Sequence, residues 1–149
     1  MKLIIQRVTS ASVKVERKKI SSISQGYLIL LGIEQNDVSK DLNYLVNKTI
    51  NLRIFKDSSN KMNASIKDIG GMVLVVSQFT LCSNVKKGNR PSFKNAGKPN
   101  FAFSMYQQYC EQLELNNIQV EKGAFGADMQ VSLVNDGPVT IILDSNEKS

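Results

Sequence analysis

Two short segments far apart in the chain carry the residue types that could do chemistry. One is Ser77-Gln78-Phe79-Thr80-Leu81, at the end of an apolar strand; the other is Asn135-Asp136-Gly137-Pro138-Val139-Thr140, between two later strands. Each puts small or hydroxyl-bearing residues where a buried strand emerges into a turn, so that backbone N–H and C=O groups can face a ligand. Neither carries an obvious acid or base catalyst. The chain has no histidine, which removes any Ser-His-Asp triad, Cys-His dyad or histidine-based zinc site. Thr80 as a nucleophile would need a base beside it, and the sequence identifies no lysine or carboxylate for that role. Nothing in the spacing of Asp128 and Asp136 brings them together as an acid–base pair, and Asp136 has a sufficient explanation as a turn former. Both segments also admit a purely structural reading. Polar side chains at a strand end can simply satisfy local backbone groups, and Gly137-Pro138 taken alone reads as a trans proline in a hairpin turn, because only about 5–6% of X-Pro bonds in folded proteins are cis.

A phosphate-bearing partner is suggested by where the charge lies. Of a net charge of +6, nearly all sits between Ser83 and Asn100, where Lys86, Lys87, Arg90, Lys94 and Lys98 occur with no Asp or Glu among them. The alternative is a solvated loop with incidental lysines. Phe93 is the one aromatic inside that loop, so base stacking is a minor expectation. The two cysteines, Cys82 and Cys110, lack metal-ligand spacing and read as reduced thiols of a cytoplasmic protein, with a single disulfide as the alternative. The start, Met1 to Arg7, turns polar too soon for a signal segment, and no apolar run has the length of a membrane span.

These groups must be held by a fold that 149 residues, 42% of them hydrophobic, are enough to build around one core, so a single domain over 1–149 is expected. Lys2–Val8 and Ser12–Glu16 read as two strands of a hairpin, with a charged turn at Arg17-Lys18-Lys19. Tyr27–Ile33 reads as a strand buried on both faces. Ser39 is placed to cap a helix running to about Leu52, with Leu42, Leu45, Val46, Thr49 and Ile50 on its inner stripe. A short strand at Arg53–Phe55, a buried strand at Met72–Phe79 and a helix from Pro99-Asn100 to about Glu114 follow. The last strands are Ile118–Glu121, Met129–Val134 and Val139–Leu143, with a frayed tail from Ser145. The fold class expected is α/β with a mixed, mainly antiparallel sheet curled toward a barrel, two principal helices and more hairpins than crossovers. Long apolar strands in so small a domain leave edges to cover, for which a homodimer is one solution.

Both segments, and most of the chain around them, resemble the D-aminoacyl-tRNA deacylase family. The likeness runs through Ile5-Gln6-Arg7-Val8, Leu52-Arg53-Ile54-Phe55, Val75 to Leu81 and Lys87-Gly88-Asn89-Arg90-Pro91-Ser92-Phe93, then Ala127-Asp128-Met129-Gln130-Val131 and Asn135 to Thr140. It departs at Ala124, where many relatives carry a basic residue, and at Asn100, which replaces an acidic one. The resemblance implies a homodimeric enzyme that hydrolyses the ester joining a D-amino acid, or glycine, to the terminal adenosine of tRNA. It implies that Gly137-Pro138 is cis and projects into the other subunit's pocket as a wall of main-chain carbonyls. D and L forms share volume and polarity, so only such a wall, set against one direction of projection from the α-carbon, separates them, and it cannot exclude glycine.

Ser77, Gln78, Phe79 and Thr80 become the catalytic segment. Either Thr80 attacks, or amides around Phe79 and Thr80 hold the developing oxyanion while the substrate's 2′-hydroxyl assists water; the second route is preferred. Arg7, otherwise a salt-bridge or solvated strand residue, helps hold the Gly137-Pro138 turn. Phe125 and Met129, otherwise core, line the adenosine pocket. Lys86, Lys87, Arg90, Lys94 and Lys98 meet the acceptor stem of tRNA. No metal, cofactor, membrane or DNA partner is implied. Two other classes stay open: a tRNA-binding module without turnover, and a small-molecule esterase with an incidental basic loop.

Overall fold

Side-chain alternation from Leu3 to Val13 builds one continuous strand rather than two. In the computed structural model, which describes residues 1–147, β1 spans Lys2–Val15 and β8 spans Gln130–Asp144, and the two pair antiparallel almost end to end. The register shifts around Arg7 and Thr9, and such an irregularity changes which face the following residues point to. Leu3 and Ile5 therefore join the core on one face, while Val8, Ala11 and Val13 join a second core on the other. The break expected between Val8 and Ser12 is this kink inside a paired strand. The turn that ends β1 falls at Glu16-Arg17, both at positive φ, and Lys18-Lys19 already belong to β2 (Lys18–Ile23).

The opposite edge of β1 takes β2 and then β3 (Gly26–Gly32), both antiparallel. Next come β6 (Met72–Ser77) and β7 (Gln119–Lys122), each parallel to its neighbour. Parallel pairing needs a long connection, and the two helices supply it: α1 (Ser39–Asn51) between β3 and β6, α2 (Pro99–Leu115) between β6 and β7. The main sheet thus has two crossovers against a single tight hairpin, β1–β2, which corrects the expected preponderance of hairpins. β2 curls back to touch β6 and β7, so the mixed sheet comes close to a barrel. A small ribbon of β4 (Phe55–Lys56) and β5 (Met62–Ala64) stands apart; the strand expected at Arg53 begins only at Phe55, and its partner was not anticipated.

The larger core lies between the sheet and the helices. There Leu42, Leu45, Val46 and Ile50 of α1, and Met105, Tyr109 and Leu113 of α2, meet Leu3, Ile5, Tyr27, Ile29, Val73 and Val75. Each fully buried apolar side chain of this size stabilises by roughly 1.5–3 kcal/mol. Three tyrosine and threonine hydroxyls taken inside this core are matched. Thr49 Oγ1 and Tyr109 Oη share a bond of 2.7 Å, and Tyr106 Oη donates to the Val75 carbonyl at 2.8 Å.

Helix α1 is capped by an acid rather than by Ser39. The residue before the helix is Val38, and its N–H is taken by the Asp41 carboxylate at 2.9 Å. Likewise α2 follows Lys98, with Pro99 in its first turn, so Asn100 lies within the helix rather than capping it. The C-terminal end is not frayed at Ser145. Residues Ser145–Glu147 form a 3-10 turn, with Ser145 buried and its N–H on the Met1 carbonyl. The rest of the expected tail, residues 148–149, lies outside the described residues. Both cysteines are buried free thiols, and among the described residues no helix is long and apolar enough to cross a membrane.

Candidate active site

The carboxyl ends of parallel strands, where the chain departs to opposite sides, leave a crevice that ligands use. Strands β3 and β6 end together, with Leu31 opposite Ser77. The chain then leaves the sheet: the strand expected to reach Phe79 stops at Ser77 and gives way to a 3-10 turn, Phe79–Cys82. Gln78 N donates to the Leu31 carbonyl at 2.8 Å, and Leu81 N to the Gln78 carbonyl at 3.2 Å. Only glycine at 32 lets this turn settle onto β3, because a Cβ there would lie 2.9 Å from Leu81 Cβ and 3.1 Å from the Gln78 carbonyl oxygen. The amides of Phe79 and Thr80 open the turn, which has no side-chain cap; the first N–H groups of a helical turn find no partner within it.

Beside this turn lies a cavity of about 520 Å³, within the range of small-ligand sites, ~300–1,000 Å³. One wall is Ser77, Gln78 and Phe79; the facing wall is Phe125 to Met129, ahead of β8. The Phe125 ring is oriented by Phe103 (centroids 5.1 Å apart) and Tyr106 (5.6 Å). Gly123 leaves the space that Met129 fills, since a Cβ there would come within 2.8 Å of the Met129 sulfur. Ala96, Gly97, Pro99 and Ala102 complete the rim where the basic loop enters α2.

Polar groups at this wall are few and paired in a telling direction. Gln78 Nε2 donates to Thr80 Oγ1 at 2.5 Å, so the side chain bonded to the threonine hydroxyl is a neutral amide and not a base. Burial, with the charges of Glu34 and Asp37, pushes the Cys82 thiol up to about 11, and it stays protonated at neutral pH. Among the described residues no group of three His, Cys, Asp or Glu side chains could hold a metal ion.

Arg7 is buried on β1. Its Nε donates to the Asp136 carbonyl at 2.9 Å and lies 3.6 Å from the Asp136 carboxylate, while Nη1 donates to the Ile54 carbonyl at 2.5 Å. Asn135 Oδ1 receives the Val139 N–H at 2.8 Å, and its Nδ2 donates to Thr140 Oγ1 at 2.9 Å. Gly137-Pro138 between them is cis, with Gly137 at φ +135, where L side chains are rarely found. This segment is an irregular stretch inside β8, not a turn between two strands. Gly137 and Pro138 are exposed and do not line the cavity of their own chain.

A family model described as D-Tyr-tRNA(Tyr) deacylase matches residues 4–144. The chain belongs to that family. A curated relative, D-aminoacyl-tRNA deacylase from Flavobacterium psychrophilum, is 54% identical over 149 residues, 99% of each chain. Among solved structures, a c-Myc DNA unwinding element binding protein is similar with a TM-score of 0.91 and 44% identity, covering 97% of this chain and 98% of its own. A probable eukaryotic D-amino acid tRNA deacylase shares the fold at a TM-score of 0.83 and 14% identity, over 95% and 97% of the two chains.

Within this deacylase-family fold, Ser77, Gln78, Phe79, Phe125 and Met129 meet around one cavity, with Thr80 joined through Gln78. Arg7, Gly137 and Pro138 form a separate cluster. Asp128 lines the cavity while Asp136 sits on Arg7, so the two carboxylates serve different places. Lys86, Lys87, Arg90, Lys94 and Lys98 are exposed on a tongue between Ser83 and α2; the Asn84–Ser92 bridge closes the part that holds the first three, and Gly97 N on the Ile33 carbonyl (2.8 Å) ties its return to the cavity rim. The sequence reading missed Gly32, Gly123, Ala96 and Gly97. Their contribution is absence of side-chain volume, and only Gly32, near the end of an apolar run, carried a signal in the sequence.

Proposed function

We propose that this chain hydrolyses the ester between a D-amino acid and the terminal adenosine of tRNA, releasing free amino acid and tRNA, and that it spares the L ester. The observation that carries the reading is the cavity walled by Ser77, Gln78 and Phe79 on one side and Phe125 and Met129 on the other, in a member of a deacylase family. The apolar side takes the adenosine, and the Phe79–Thr80 amides take the ester carbonyl. Water attacks the carbonyl carbon, the substrate's 2′-hydroxyl assisting its deprotonation. The oxygen that becomes negative is held by the amides; the bond to the ribose oxygen then breaks, and that oxygen takes up the proton. One well-aimed oxyanion donor contributes about 2.7–4 kcal/mol. A Thr80 nucleophile is disfavoured because a nucleophilic hydroxyl needs a base beside it, and the Gln78 side chain bonded to it is a neutral amide. No cofactor is required.

Stereochemical rejection belongs to Gly137-Pro138 of a second copy. The exposed Gly137-Pro138 stretch, fastened by Arg7, would be the projecting half of such an arrangement. A homodimer is further supported by β8, which among the described residues pairs with β1 alone and presents Val134 and Ile142 at 55% and 74% exposure. A wall that reads direction rather than side chain would pass glycine, so misplaced glycyl-tRNA is a second substrate. The five cations of the tongue hold acceptor-stem phosphates, in the cytoplasm where tRNA is charged.

Matched D-tyrosyl-tRNA and L-tyrosyl-tRNA at substoichiometric protein test the reading. Loss of the D ester alone supports it; equal loss leaves an esterase without a chiral filter, and loss of neither leaves a binding module. Thr80→Ala should keep substantial activity, and near-complete loss in a folded variant would restore the nucleophile. Binding should weaken with salt at a log–log slope no steeper than roughly −4.5, if five cations each meet a phosphate of the duplex stem. Duplex DNA should compete poorly.

A further inference from the structure

The tongue is not short of aromatic surface once it is folded. Phe93 packs against Phe79, with ring centroids 4.9 Å apart and planes at 69°, so two residues fourteen positions apart form one apolar ledge. Phe79 and Phe93 are 55% and 38% exposed. An edge-to-face pair accounts for holding the tongue against the 3-10 turn, but it does not account for leaving this much ring surface in water. The ledge is placed between two features the proposed substrate must span. Phe79 is itself part of the cavity wall, and the tongue rejoins that wall at Ala96 and Gly97. Lys94 follows Phe93 directly, and Lys86, Lys87 and Arg90 lie on the same tongue, with no acid between Ser83 and Asn100.

We propose that the Phe79–Phe93 ledge is a stacking site for the unpaired nucleotide immediately 5′ of the terminal adenosine. This rests on the function proposed above and adds a subsite to it. A cavity of about 520 Å³ is filled by one aminoacylated nucleoside, so the preceding nucleotide must lie on the rim. Every base has a π face, and aromatic side chains hold unpaired bases by stacking irrespective of identity, while nearby cations neutralise the phosphates. The ledge therefore orients the single-stranded end as it turns from the cavity toward the tongue, without reading its sequence.

The experiment uses an acceptor-stem hairpin RNA with an unpaired -CCA end and pyrrolocytidine as the penultimate nucleotide, titrated with the full chain. A second RNA carries 2-aminopurine in place of the terminal adenosine to report cavity occupancy. With the wild type, both reporters should quench on binding. Phe93→Leu should bind the hairpin roughly tenfold more weakly and lose the penultimate quench, and Phe93→Trp should restore both. A wild-type titration in which the terminal reporter responds and the penultimate one does not would overturn the stacking site while leaving the hydrolytic reading intact; this arm needs no variant to fold. Unchanged affinity and quenching in Phe93→Leu would overturn it as well. A failure of the function itself shows separately, as intact D-tyrosyl-tRNA after incubation with the wild type.

Discussion

The Ser77–Leu81 and Asn135–Thr140 segments look alike in composition, yet the fold uses them in opposite senses. The first is concave: it leaves the sheet, lies down over Gly32 and walls a cavity. The second is convex: it stays within β8, is clamped from behind by Arg7 and Asn135, and shows Gly137 and Pro138 to solvent away from its own chain's cavity. One segment offers amides to a ligand, the other offers a rigid protrusion. Gly137 and Pro138 do not line the cavity that Ser77 to Phe79 help to wall, so within one chain the two segments do not meet.

The concave side should break most completely. Gly32→Ala pushes the 3-10 turn away from β3, and a displacement approaching 1 Å at reacting groups costs about 10²-fold in rate. The D-ester rate should fall by that order with the preference for D retained. Cys82 provides an independent readout, since its burial keeps the thiol near 11; in the variant it should react faster with a disulfide reagent at pH 8.

Next in size is the convex side. Arg7→Met leaves the buried Ile54 carbonyl without its donor and frees Asp136, costing about 1–3 kcal/mol in denaturant unfolding. The discriminating ratio, D over L rate, should drop at least tenfold while the D rate changes little. If the ratio survives, Arg7 is a structural residue only. Asn135→Ala removes the acceptor of the Val139 N–H and should cost about 1 kcal/mol, with a smaller loss of the same ratio.

The smallest effect is expected outside both regions, at the Lys2–Asp144 pair joining the ends of β1 and β8 at 2.8 Å. Burial works to raise the Asp144 carboxyl, but the hydrogen bonds from Lys2 and the Asn146 N–H outweigh it and leave it lowered. A lowered carboxyl stabilises above its unfolded value and loses that contribution as pH falls through the folded one. Asp144→Asn should therefore destabilise by under ~1 kcal/mol at pH 7, the pair being partly exposed, and the difference from wild type should vanish in acid.

Much of this was legible in the residues. Alternation gave the strands, the stripe from Leu42 to Ile50 gave α1, and Pro99 marked the start of α2. The same signals failed where tertiary pairing overrode them. A kink at Arg7 and Thr9 looks like a strand break unless β8 runs beside it, and Val38 gains its cap from an acid three residues on. Phe93 looked isolated because Phe79, its ring partner, lies on the far side of the tongue.

By itself the sequence determined the element types, the family and the chemistry ruled out by having no histidine. Residue type and local period decide those, and both are properties of neighbouring positions. Only the tertiary structure decided that Ser77 to Phe79 and Phe125 to Met129 face each other across one cavity, while Gly137-Pro138 turns away from it. Those relations depend on the parallel alignment of β3 with β6, on the register of β8 along β1, and on the volume missing at Gly32 and Gly123. Each is set by the simultaneous packing of segments tens of residues apart, which no local pattern encodes.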